Sequence, residues 1–113
     1  MKITIEDFDN FLKPEKGWVR NRTGYEYVYD RVIPNNPKIM IKVLSSIYVE
    51  TDKKHNKSEF IRVFAVRVKD GKICGGLVKD VSIFKTNRWQ EDIKIAYKEV
   101  KQRAELVLKK MKK

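Results

Sequence analysis

Between Tyr25 and Lys85 apolar side chains alternate with polar ones, whereas on either side of that stretch they recur at steps of three and four. A period of two marks strands and a period near 3.6 marks helices. The order helix, strands, helix follows, and 113 residues leave room for one domain around one core.

The first period is short. Thr4 reads as an N-cap with Glu6 and Asp7 in the first turn, and Phe8, Phe11 and Leu12 make an apolar stripe over residues 5–12. Pro14 closes that helix. The segment from Gly17 to Gly24 reads as a loop or short strand. Four strands are expected next: Tyr25 to Ile33, Lys38 to Glu50, Glu59 to Lys69, and Lys72 to Lys85. Pro34-Asn35-Asn36-Pro37 reads as a turn between the first two. Asp70-Gly71 signals a type I′ hairpin between the last two, and Gly75-Gly76 a bulge or bend. Asn87, with Gln90 three residues on, has the spacing of a capping box. From Trp89 through Ile93, Ala96, Tyr97, Val100, Ala104, Val107 and Met111 one stripe defines a helix of roughly 24 residues, about 36 Å long. The expected class is α+β: a short N-terminal helix, a four-stranded antiparallel sheet, and a long C-terminal helix packed on one face.

Charge narrows the function. Lys and Arg number 26 against 15 Asp and Glu, a net of +11. Residues 1–15 carry −2, so residues 16–113 carry +13. Such a field attracts polyanions and speeds their capture. A generic solubilising surface is the plain alternative. The Lys-, Glu- and Ile-rich, Gln-poor usage also suits a thermophile, but that bias raises Lys and Glu together and would not leave eleven charges uncompensated. The acidic start without an apolar signal core, the absence of a long apolar run, and a single cysteine, Cys74, point to a reducing cytoplasm.

Alternation sorts the strand residues into two faces. An aliphatic set (Val28, Val32, Ile41, Val43, Ile61, Val63, Ala65, Val81 and Ile83) suits the underside of the long helix. The opposite set is expected to be Tyr25, Tyr27, Tyr29 and Arg31, then Met40, Lys42 and Leu44, then Phe60, Arg62 and Phe64. Rings that stack on unpaired bases, interleaved with cations for phosphates, are the chemistry of single-strand binding. The plain alternative is a second core layer beneath the N-terminal helix, or a cleft walled by Trp18, Tyr27 and Arg62. Trp18 between Arg20 and Arg22 reads either as a further stacking ring or as the edge of the core. The candidate binding residues are thus Trp18, Arg20, Arg22, Tyr25, Tyr27, Tyr29, Arg31, Lys42, Phe60, Arg62 and Phe64. The long helix outreaches a four-stranded sheet of ~14–15 Å, so Leu106, Val107, Leu108 and Met111 invite a homodimer through that helix.

Four antiparallel strands backed by a helix, with an aromatic and basic face left open, resemble the PC4-type transcriptional coactivators. With the added N-terminal helix the layout is more similar to the ThermoDBP group of archaeal single-stranded-DNA-binding proteins. The segments Ile41-Lys42-Val43-Leu44-Ser45-Ser46-Ile47, Phe60-Ile61-Arg62-Val63-Phe64-Ala65-Val66 and Arg88-Trp89 also resemble small archaeal and viral proteins. The resemblance is architectural, over residues 4–111, and implies sequence-tolerant single-strand binding on the sheet with oligomerisation through the last helix.

Catalysis finds little support. The single histidine, His55, lies in a lysine-rich loop without a carboxylate at a telling spacing, and Cys74 reads as a small apolar filler. No phosphate loop, HExxH or CxxC pair is present. Asp30, Glu50, Glu59 and Asp80 are scattered over strands, so neither a metal nor another cofactor is expected. Two other functions fit the charge: duplex or structured-RNA binding through the 53–57 loop and the tail Lys109 to Lys113, or docking of an acidic protein.

Overall fold

The computed structural model describes residues 3–23, 26–48, 60–82 and 86–111. Helix α1 (Ile5–Leu12) leads into five strands, β1 (Val19–Thr23), β2 (Glu26–Ile33), β3 (Asn36–Tyr48), β4 (Phe60–Arg67) and β5 (Ile73–Ser82), and helix α2 (Trp89–Met111) ends the chain. The strands form one sheet in the order β1-β2-β3-β4-β5, every neighbouring pair antiparallel. The α+β class is as expected. The sheet has five strands instead of four, because Val19–Thr23 adds to the edge of β2.

Local chemistry explains the boundaries. Thr4 Oγ1 accepts the Asp7 amide at 3.1 Å and Asp7 Oδ2 accepts the Thr4 amide at 2.9 Å, a complete capping box. The β2–β3 turn is tighter than four residues, since Asn36 already pairs with Ile33 and Pro37 lies within β3. The Asp70-Gly71 pair does not form a two-residue loop. Arg67 donates its amide to the Lys72 carbonyl at 2.9 Å around Val68–Gly71, and only Gly71 takes a positive φ, 71°. Helix α2 begins at Trp89, and the Arg88 amide is met by Thr86 Oγ1 at 3.2 Å, so Asn87 is not its cap. Among the described residues no helix is long and apolar enough to cross a membrane.

Both helices lie on the same side of the sheet. Phe8 of α1 stacks on Tyr29 of β2 with ring centroids 5.4 Å apart and meets Trp89 of α2 edge-on at 6.0 Å. Phe11 meets Trp89 at 5.3 Å, and Trp18 meets Tyr97 of α2 at 5.8 Å. Beneath them Ile33, Ile39, Ile41, Val43, Ile61, Val63 and Ala65 are sealed, together with Ile93, Ala96, Val100 and Ala104 from the stripe of α2. Val107 and Leu108 pack half-buried against this core, whereas Leu106 faces outward.

The glycine pair in β5 lets α2 come close. Pairing slips between Phe64↔Val78 and Val66↔Ile73, so the extra residues bulge, and Gly75 and Gly76 adopt φ of 92° and 68°. A Cβ on Gly75 would stand 3.0 Å from the Ala104 nitrogen and 3.1 Å from the Arg103 carbonyl carbon, whereas one on Gly76 would meet nothing within 4 Å. Gly76→Ala should therefore cost only backbone strain, about 1–2 kcal/mol. Gly75→Ala adds a steric clash with helix backbone and should cost visibly more, about 2–4 kcal/mol in urea unfolding.

Candidate nucleic-acid interface

Because α1 and α2 share one side, the other face of the sheet carries no helix among the described residues. Its cross-strand rows follow from the register. Asn21, Val28, Leu44, Arg62 and Asp80 form one row, and Val19, Asp30, Lys42, Phe64 and Val78 form the next. Val32, Met40, Val66 and Ile73 make a third, with Phe60 opposite Ser82 beyond the first. Five of the eight large apolar side chains that are exposed among the described residues lie here: Val19, Val32, Phe60, Ile73 and Val78. Phe64, Leu44 and Met40 are half-buried beside them, and Phe60 is 46% exposed.

The open face therefore keeps four of the expected binding residues: Lys42, Phe60, Arg62 and Phe64. The β2 candidates are on the other side. Tyr29 is fully buried under Phe8, and Arg31 packs beneath α2, donating to Tyr97 Oη at 3.1 Å, Glu15 Oε1 at 2.9 Å and the Lys16 carbonyl at 3.1 Å. Tyr27 is half-buried under the Arg20 guanidinium, 5.0 Å above its ring. Arg20 is also drawn to α1 by Asp9 at 2.7 Å, and Arg22 shares its side of the sheet. Trp18 is buried, with its indole N–H toward Glu15 at 3.4 Å, and belongs to the core edge. Tyr25 and His55 lie outside the described residues. Val28 and Val32, expected under the long helix, stand on the open face instead. No cleft joins Trp18, Tyr27 and Arg62, since Arg62 projects from the opposite side.

Two of the acids that the sequence scatters over the strands shape the electrostatics of the open face. Asp30 is buried and accepts from Asn21 Nδ2 at 2.7 Å and Lys42 Nζ at 3.0 Å. Asp80 accepts from Arg62 Nε at 3.1 Å. Lys42 and Arg62 thus each have a carboxylate partner, and around them the face presents rings and aliphatic surface with balanced charge. The one warning in the sequence is Ile33, which shares the parity of Tyr29 and Arg31 and needs the core.

The remaining chemistry is structural. Burial pushes the Cys74 thiol pKa up, and its Sγ lies 3.6 Å from the Ala104 carbonyl, so it is held away from the reactive thiolate. Among the described residues no three His, Cys, Asp or Glu side chains gather as a metal set. Comparison with protein-family models, curated proteins and solved structures finds no match to this chain.

Tyr29 gives a test of which side of the sheet is sealed. Burial, helped by its hydrogen bond to Asp9 and that residue's charge, raises the phenol well above its ordinary pKa of 10.0. In the unfolded chain it ionises near pH ~10 while the folded chain keeps the proton. The folded state then binds the extra proton, so stability falls as pH rises above that value. Tyr29→Phe removes this loss: the gap between wild type and variant in denaturant midpoint should shrink or invert from pH ~9 to ~11.5.

Proposed function

We propose that this chain binds single-stranded nucleic acid across the open face of its sheet, without chemistry of its own. One observation carries the reading: Phe60, Arg62 and Phe64 occupy successive outward positions of β4 on a face that no described helix covers, in a chain of net charge +11. Alternate strand positions are spaced by ~6.6–6.8 Å, so the two rings flank a guanidinium with space for a base on each. Leu44, Met40 and Val78 offer apolar surface to further bases and sugars. A duplex hides its base faces and would leave these rings unused.

Fluorescence polarisation with single-stranded DNA, single-stranded RNA and duplex, each at two salt concentrations, tests the reading. Phe64→Ala should weaken single-strand binding about 5- to 150-fold, the loss of one stacked base at ~1–3 kcal/mol, with little change for duplex. Equal affinity of wild type and Phe64→Ala for every probe would sink it.

The aliphatic share of the face favours a second reading, in which two copies close sheet against sheet. The neutral face is where copies of so basic a chain can meet without repulsion. Among the described residues Ile95 and Leu106 offer less apolar surface to a dimer through α2. Light scattering separates the cases: a dimer that Val78→Lys converts to monomer, with no oligonucleotide bound, favours the sandwich.

A further inference from the structure

A strand whose bases lie on the open face must find partners for its phosphates elsewhere, because Lys42 and Arg62 are engaged by Asp30 and Asp80. One end of the molecule supplies them. The Val68 amide donates to the Lys38 carbonyl at 3.0 Å, which brings the start of β3 beside the β4–β5 turn. Helix α2 arrives at the same end. It runs back along β5, where Val81 and Ser82 share a pocket with Asp92 and Ile95, Lys79 pairs with Glu99 at 3.1 Å, and Gly75 abuts Ala104. The six residues from Ala104 to Lys110 carry it ~9 Å further toward the turn.

Lys38, Lys69, Lys72, Lys109 and Lys110 are therefore gathered at one pole, all exposed. Among the described residues none of the five is in an ion pair. Asp70 and Glu105 lie at this end, and Asp70 attracts Lys72 without forming a close ion pair with it. Asp70 is held in a bidentate pair by Arg67 Nε and Nη2 and by the Lys72 amide at 3.1 Å. Glu105, one turn before Lys109, lies near enough to Tyr97 to act on its hydroxyl. Favourable placement at a helix C-terminus accounts for Lys109 and Lys110, but not for Lys38, Lys69 and Lys72, which sit on a strand and a turn. The pole also borders the row Val32, Met40, Val66 and Ile73, so a chain leaving Phe64 along β4 reaches it after about five residues, ~17 Å.

We infer that this lysine pole is the phosphate-binding end of the site, holding consecutive phosphates of a strand whose bases rest on β4. The inference rests on the reading of the open face as a stacking surface. It gives the bound strand a direction, along β4 toward the β4–β5 turn.

The test uses the full chain, a fluorescein-labelled oligothymidylate, and inorganic polyphosphate as a competitor that has phosphates without bases. Lys38→Gln/Lys69→Gln/Lys72→Gln is compared with Arg88→Gln/Lys94→Gln/Lys98→Gln, which removes the same charge from the first half of α2 and the turn before it. Circular dichroism confirms that each is folded. Three lost phosphate contacts should flatten the slope of log affinity against log salt by about 2 in the pole variant, and by much less in the control. Polyphosphate should displace the oligonucleotide from wild type, and a direct polyphosphate titration should fail with the pole variant yet succeed with Phe64→Ala. Equal losses in the two triple variants, or an unchanged slope in the pole variant, overturn the inference. Oligonucleotide binding that needs Phe64 but ignores the pole overturns it while leaving the stacking surface intact. Pole-dependent polyphosphate binding together with an oligonucleotide affinity unchanged by Phe64→Ala retains the pole as a phosphate site but overturns the inference, because it discards the stacking surface.

Discussion

The stacking of Phe8 on Tyr29, reinforced by Asp9, decides which side of this sheet meets solvent. Asp9 accepts the Tyr29 hydroxyl and the Arg20 guanidinium, so a single carboxylate ties α1 to both β2 and β1. With α1 fixed there, its apolar stripe finishes the layer that α2 begins, and Trp89 serves both helices. A two-layer arrangement results, and antiparallel strands tolerate it because one face can remain wet. Had α1 crossed to the other side, the phenylalanines of β4 would have become core.

Period and punctuation made most of the architecture readable. Thr4 and Pro14 bracket α1, Gly75-Gly76 marks a real bulge, and α2 spans Trp89–Met111 with the anticipated Trp89, Ile93, Ala96, Val100 and Ala104 buried. Faces were harder. In β3 and β4 the aliphatic residues alternate strictly with polar or larger ones, and parity assigned Ile41, Val63, Lys42, Phe64 and their neighbours correctly. In β2 both parities hold plausible core residues, tyrosines on one and valines on the other. Choosing valine over tyrosine for the interior follows hydrophobicity alone. It fails because a tyrosine whose hydroxyl reaches a carboxylate can be buried whole, while valine tolerates a face shared with solvent. A one-residue change of parity moved Tyr27 and Tyr29 to the helix side of the sheet, Tyr29 into the interior.

That error also hid the electrostatics. Asp30 alternates with Tyr29 and Arg31, so once β2 is turned over it lands beside Lys42, and Asn21 completes its shell. Pairings of this sort depend on strand register, which sequence spacing does not supply. The net charge was visible from composition, but its division into a balanced sheet face and a cationic end depends on where β3, the β4–β5 turn and the end of α2 meet.

The bulge in β5 has a bearing on solubility. A sheet with so much aliphatic surface invites chains to add strand upon strand at its borders, and two outermost strands are available for that. One, β1, is only five residues long and carries Arg20 and Arg22; the other is bent out of regular pairing at Gly75-Gly76. Brevity, cations and a bend are the ordinary defences against fibrous growth. Straightening β5 would thus remove a safeguard as well as a helix contact, trading a discrete molecule for a template.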